Sequence, residues 1–80
     1  MNTRRENIHG FFVEFDPTEK EIIYAGRYLR DDLQLTEAKT FFDAARLNGS
    51  ADFEDDYDRD WTIIYNRGTN VYNLVRRQRE

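Results

Sequence analysis

The 80-residue chain has no cysteine, one histidine, one serine and one proline. Without cysteine there is no disulfide framework and no thiolate metal site. A lone His9 makes no ordinary zinc site. Ser50, His9 and no thiol leave nucleophilic catalysis without a constellation of nucleophile, base and orienter. Four isolated glycines form neither a phosphate loop nor a dinucleotide fingerprint, so no cofactor is expected. No apolar run approaches the roughly 20 residues that span a bilayer. The residues after Met1 are polar and basic, unlike a signal peptide, and the expected location is the cytoplasm. Asn48-Gly49-Ser50 matches a glycosylation acceptor, but without secretion it reads as a helix stop.

The chain is rich in charge (35%) and in aromatics (15%). The first value is typical of disordered chains, but twelve Phe, Tyr and Trp residues are enough to build a core. Eighty residues make one domain, 1–80, which buries only ~60% of its unfolded surface. So small a core leaves little room for a deep substrate pocket, and the chain is expected not to be an enzyme.

Residues 1–7 are polar, and a flexible start is expected there, as at 76–80. Ile8 to Phe15 reads as a strand, with Phe11, Val13 and Phe15 on one face. Asp16 to Lys20, containing Pro17, is a turn. Glu21 to Tyr28 alternates as a second strand, antiparallel to the first. Thr36 is a candidate N-cap. Ala38, Phe41, Phe42 and Ala45 share one face of a helix over 37–47, which Asn48-Gly49 ends. Residues 50–60 form an acidic connection. Trp61 to Asn66 and Val71 to Val75 are strands around the turn Arg67-Gly68-Thr69. The expected fold is α+β, a four-stranded antiparallel sheet of two hairpins with one helix on one face, in β-β-α-β-β order. That arrangement leaves Phe12, Ile23, Ile64 and Tyr72 or Leu74 on an uncovered face. Either a partner or second copy covers it, or the N-terminal arm or loop 50–60 folds back over it. Both a monomer and a homodimer fit.

The main local signal is Asp52-Phe53-Glu54-Asp55-Asp56-Tyr57-Asp58-Arg59-Asp60, with six acids and one arginine. Its charge of −5 exceeds the chain's −4, so all other residues together carry +1. Three readings stand. Laid on an EF-hand loop from Asp52, acids fall at alternate positions. Yet Tyr57 takes the place of the turn glycine and Ile63 that of the bidentate glutamate, which rejects the EF-hand and leaves at most an irregular cation site. With that motif gone, no metal ligand is assigned. The second reading is a solvated loop that keeps the chain soluble. The third is a binding surface for a basic partner. Phe53, Tyr57 and Trp61 are interleaved with the acids every four residues, as aromatic anchors are in interface hot spots. Alternatively they are the loop's own anchors to the core. A row of carboxylates also suits an Arg/Lys groove built for phosphates.

Arginine accounts for ten of the twelve basic residues. Arg4, Arg5, Arg76, Arg77 and Arg79 lie at the two ends. If the first and last strands are near one another, these form a patch for nucleic-acid phosphates. The overall acidity, with pI near 4.9, counts against that.

The run Asp52 to Asp60 with Phe53, Tyr57 and Trp61 resembles, in composition, the small phage-encoded inhibitors of the anti-CRISPR type. The resemblance implies a non-enzymatic inhibitor or adaptor in the host cytoplasm. It would occupy a basic, nucleic-acid-binding surface of a protein complex such as a CRISPR effector. The partner-binding residues would be Asp52, Phe53, Glu54, Asp55, Asp56, Tyr57, Asp58, Asp60 and Trp61. The arginine-rich tail departs from a pure nucleic-acid mimic.

Overall fold

The computed structural model describes residues 3–19, 21–55 and 57–77. The elements in order are β1 (Arg4–Ile8), β2 (Phe11–Phe15), α1 (Ile22–Arg27) running into a π-helical turn (Tyr28–Asp32), α2 (Leu35–Asn48), β3 (Ser50–Glu54), β4 (Asp60–Asn66) and β5 (Val71–Arg76). The five strands form one mixed sheet in the order β1-β2-β5-β4-β3. Neighbours are antiparallel except β2 and β5, which run parallel with Val13 opposite Tyr72.

The fold is therefore α+β, as expected, but with five strands and two helical segments where four antiparallel strands and one helix were expected. Three local differences account for this. First, the predicted strand from Ile8 to Phe15 is interrupted at His9-Gly10, where both residues have positive φ (54° and 89°). A two-residue loop of that kind turns a hairpin with the natural strand twist. The preceding residues Arg4 to Asn7, expected to be loose, become its first strand.

Second, Glu21 to Tyr28 is helical and not a strand. Ile22, Ala25 and Leu29 are buried at i, i+3 and i+7, the period of a helix. Third, Ser50 to Glu54, expected as loop, pairs with β4 along its whole length, from Ser50–Ile64 to Glu54–Asp60. The antiparallel place beside β2 that was expected for 21–28 is taken by β1, and β3 adds a fifth strand at the opposite edge.

The expected helix is present, but it starts at Leu35, and Gln34 and not Thr36 is the N-cap. The Gln34 backbone N–H donates to Glu37 Oε1 at 3.4 Å. Gly49 ends the helix at φ 93°, where L residues are strained. The helices cover one face of the sheet. Phe42 of α2 stacks on Phe11 (centroids 4.3 Å apart, planes at 9°) and meets Tyr72 edge-on at 4.9 Å. Ile8, Val13, Ile63 and Leu74 complete this core.

The opposite face is open. Phe12 and Ile64 lie on it, together with Val75, and each is roughly half-exposed. Ile23 lies instead on α1, and Tyr72 and Leu74 point into the core. Among the described residues, neither the N-terminal arm nor segment 50–60, the two expected to fold back, covers the open face. Arg4–Ile8 and Ser50–Glu54 add instead to the two edges of the sheet, where their backbone N–H and C=O groups find partners.

Candidate interaction surface

The loop between β3 and β4 is organised by one carboxylate turned inward. The Asp55 side chain accepts from the backbone N–H of Tyr57 (2.8 Å) and of Arg59 (3.0 Å) on Oδ1, and from the indole Nε1–H of Trp61 (3.0 Å) on Oδ2. The Asp55 N–H donates back to the Arg59 carbonyl at 3.0 Å. Asp58 makes the turn with φ 61°, a conformation aspartate tolerates better than most residues. Burial pushes the Asp55 carboxyl up. The hydrogen bonds from Trp61, Arg59 and Tyr57 and the nearby Arg59 charge outweigh it, so the group is held below its ordinary range.

A second layer fixes the loop to α1. Arg59 lies 3.5 Å from Asp55 Oδ2 and is ion-paired with Glu21, which also meets Arg76 Nη1 at 3.4 Å. The Arg59 guanidinium sits over the rings of Tyr24 (4.7 Å) and Tyr57 (4.9 Å), and those rings meet edge to face at 5.9 Å. Arg76 covers the Trp61 ring at 5.5 Å. The one cation inside the acidic run is therefore its anchor to the helix.

This geometry divides the residues expected to bind a partner. Phe53 and Trp61 are in the core, Trp61 with no exposure at all, and Phe53 stacks on Tyr28. They are the loop's own anchors, because their large apolar area gains more from burial under α2 than from contact with water. Asp55 is only 6% exposed and serves the loop's internal structure. These three present no surface to a partner. Asp52, Glu54, Tyr57 and Asp58 face outward, and Asp60 is half-buried. Asp52 takes a hydrogen bond from Thr62 Oγ1 (2.6 Å) and an ion pair from Arg77 (3.2 Å). Asp56 lies outside the described residues. Among the described residues no three His, Asp or Glu side chains gather as a metal would require. No helix among them is long and apolar enough to cross a membrane.

Comparison with protein-family models, curated proteins and solved structures finds no match.

The terminal arginines do come to one end of the sheet. Arg4 pairs with Phe15 at the end of β2, which runs parallel to β5 and its Arg76. Among the described residues, however, three of the four terminal arginines are ion-paired. Arg5 is paired with Glu14 (3.4 Å), Arg76 with Glu21 and Arg77 with Asp52, and these contacts split between the two faces. Arg79 lies outside the described residues.

Two contributors were not legible in the sequence. Tyr24 belongs to the surface through Tyr57, and Glu21 through Arg59. Both come from a segment with the alternation of a strand. The one available signal was Arg59 itself, a single cation among six acids that invites a carboxylate and an aromatic partner.

Proposed function

We propose that this chain is a small non-enzymatic binding protein of the cytoplasm. It docks a tyrosine-tipped acidic hairpin on a basic surface of a partner protein, as an inhibitor or adaptor. The observation that carries this reading is Tyr57, 66% exposed, with its backbone N–H bonded to Asp55 and its ring packed against Arg59. An aromatic held in place loses little freedom on binding, and so gives more net affinity than the same ring on a mobile loop. Glu54 and Asp58 beside it supply negative charge, and Tyr24 widens the aromatic area. A basic groove shaped for nucleic-acid phosphates is the surface such a rim complements, in keeping with the compositional resemblance to anti-CRISPR inhibitors.

The test is a nuclease-treated pull-down with the wild type beside Tyr57→Ala and a Glu54→Lys/Asp58→Asn double variant, at low and moderate salt; asparagine keeps the positive φ of residue 58 while removing its charge. These exposed positions leave the Asp55 network intact. Basic proteins retained by the wild type and lost from both variants support the reading. An unchanged set of captured proteins overturns it. Capture of nucleic acid alone, equal in all forms, would assign function to the arginines instead.

A further inference from the structure

The helices do not cover the core side of the sheet completely. Between β1 and α1 lies a groove of about 470 Å³, floored by Phe15 and Ile22 and walled by Arg4, Ile23, Gly26 and Arg27. It adjoins a sheet edge that no described strand covers, because β1 is the outermost strand. The His9-Gly10 turn makes Ile8 and Phe11 a hydrogen-bonded pair. Bonded and non-bonded pairs alternate along an antiparallel ladder. Glu6 and Arg4 therefore spend their backbone groups on β2, while the N–H and C=O groups of Arg5 and Asn7 point outward. An edge with open backbone groups accepts another strand.

Charge and shape say what kind of strand. Arg30, on the same wall, is held by Asp31 (3.2 Å) and Glu6 (3.8 Å). Arg4 has no ion pair among the described residues, Arg27 has only a longer-range attraction to Asp31, and both are exposed. Ile23 is 64% exposed beside them. Gly26 is the telling residue. It lies inside α1 without a positive φ, and a Cβ built on it meets nothing within 4 Å. Neither backbone conformation nor internal packing calls for glycine there. A helical glycine is less stable than alanine, so its use fits a position where something from outside approaches the helix closely.

We propose that β1 and this groove take up an extended acidic segment of a partner protein as a sixth strand. Alternate side chains of that segment fall on the groove side. An apolar one rests on Phe15 and Ile23 against Gly26, and a neighbouring carboxylate meets Arg4 and Arg27, whose planar guanidinium groups suit it. This surface is separate from the Tyr57 loop, so the chain joins two partners of opposite charge.

The probe is a fluorescein-labelled nine-residue peptide of alternating valine and threonine, with one valine replaced by aspartate. A matched peptide carries lysine at that place. Fluorescence anisotropy should show the aspartate peptide binding at least about tenfold tighter than the lysine peptide, an ordinary margin for one charge-assisted contact. An Arg4→Glu/Arg27→Glu double variant should invert that preference. Gly26→Ala should weaken binding while raising the melting temperature, and Gly26→Leu should abolish binding with the circular dichroism unchanged. Amide exchange at Arg5 and Asn7 should slow when the peptide is bound. Equal affinity for the two peptides, no saturable binding by about 1 mM, or unprotected Arg5 and Asn7 amides would overturn the proposal. So would concentration-dependent self-association that alone protects those amides, which would assign the edge to a second copy.

Discussion

Trp61 donates its indole N–H to Asp55 Oδ2 at 3.0 Å, and both side chains are withdrawn from solvent. This bond joins the base of β4 to the loop that precedes it. The same carboxylate caps two backbone N–H groups of that loop, so one buried charge ties Tyr57, Arg59 and Trp61 together.

Replacing Asp55 by alanine leaves the Trp61 indole and two loop amides without their acceptor. Unsatisfied buried donors cost about 1–3 kcal/mol each when water cannot reach them. The Tyr57 and Arg59 amides are only part-buried, so the expected loss in urea denaturation is about 2–4 kcal/mol in all. Asp55→Asn keeps the shape and one acceptor oxygen, and should lose less than half as much.

The pH dependence follows from the same group. Its carboxyl is held below the ordinary value of 3.8 in the folded chain. The stability this contributes is present above that value and is lost as the pH falls through the folded-state pKa. Thermal melts of the wild type between pH 6 and about pH 2 should therefore fall more steeply than those of Asp55→Asn. Tyr72 has the opposite sign. Burial, with the neighbouring Tyr65, holds its hydroxyl above 10.0. Its contribution is present below pH 10.0 and is lost as the pH rises through the folded-state value, so Tyr72→Phe should flatten the alkaline limb.

Glu21 combines a strained backbone with a bridging carboxylate. It sits at φ 69° at the start of α1 and holds both Arg59 and Arg76. Glu21→Ala should be destabilising through loss of the ion pairs, while the backbone strain that glutamate already carries stays in place. Glu21→Gly removes the ion pairs but relieves the backbone, and should be about 1 kcal/mol more stable than the alanine variant. A chemical-denaturation series on the two variants checks this difference.

Phe42 is fully buried between Phe11 and Tyr72. Phe42→Ala should cost about 3–5 kcal/mol, enough to unfold much of so small a domain. Tyr57→Ala removes only an exposed ring over Arg59 and should change stability by less than about 1 kcal/mol. Loss of partner binding by Tyr57→Ala with an unchanged melting curve would separate docking from folding.

Much of the fold was legible in local pattern. The α2 face of Ala38, Phe42 and Ala45, its stop at Gly49, and the β4–β5 hairpin all follow from periodicity and turn chemistry. These signals act over a few residues and do not depend on distant parts of the chain. The His9-Gly10 turn carries a weak signal, because two-residue hairpin turns are usually marked by Asn-Gly or Asp-Gly and His-Gly is not among those pairs.

The remainder was decided by tertiary structure. Ile22, Ile23, Tyr24, Ala25 and Leu29 satisfy a strand and a helix about equally well, and the choice turns on which face finds a core to bury against. The acidic run of 52–60 determined by itself where the chain's negative charge lies. Only the folded chain decided which of those acids face solvent. Asp55 is drawn inward because Trp61 and two amides need an acceptor there, and Tyr57 is left outside because Arg59, tied to Glu21, holds it at the rim. A residue's identity states which bonds it is able to form, but burial determines which of them it must form.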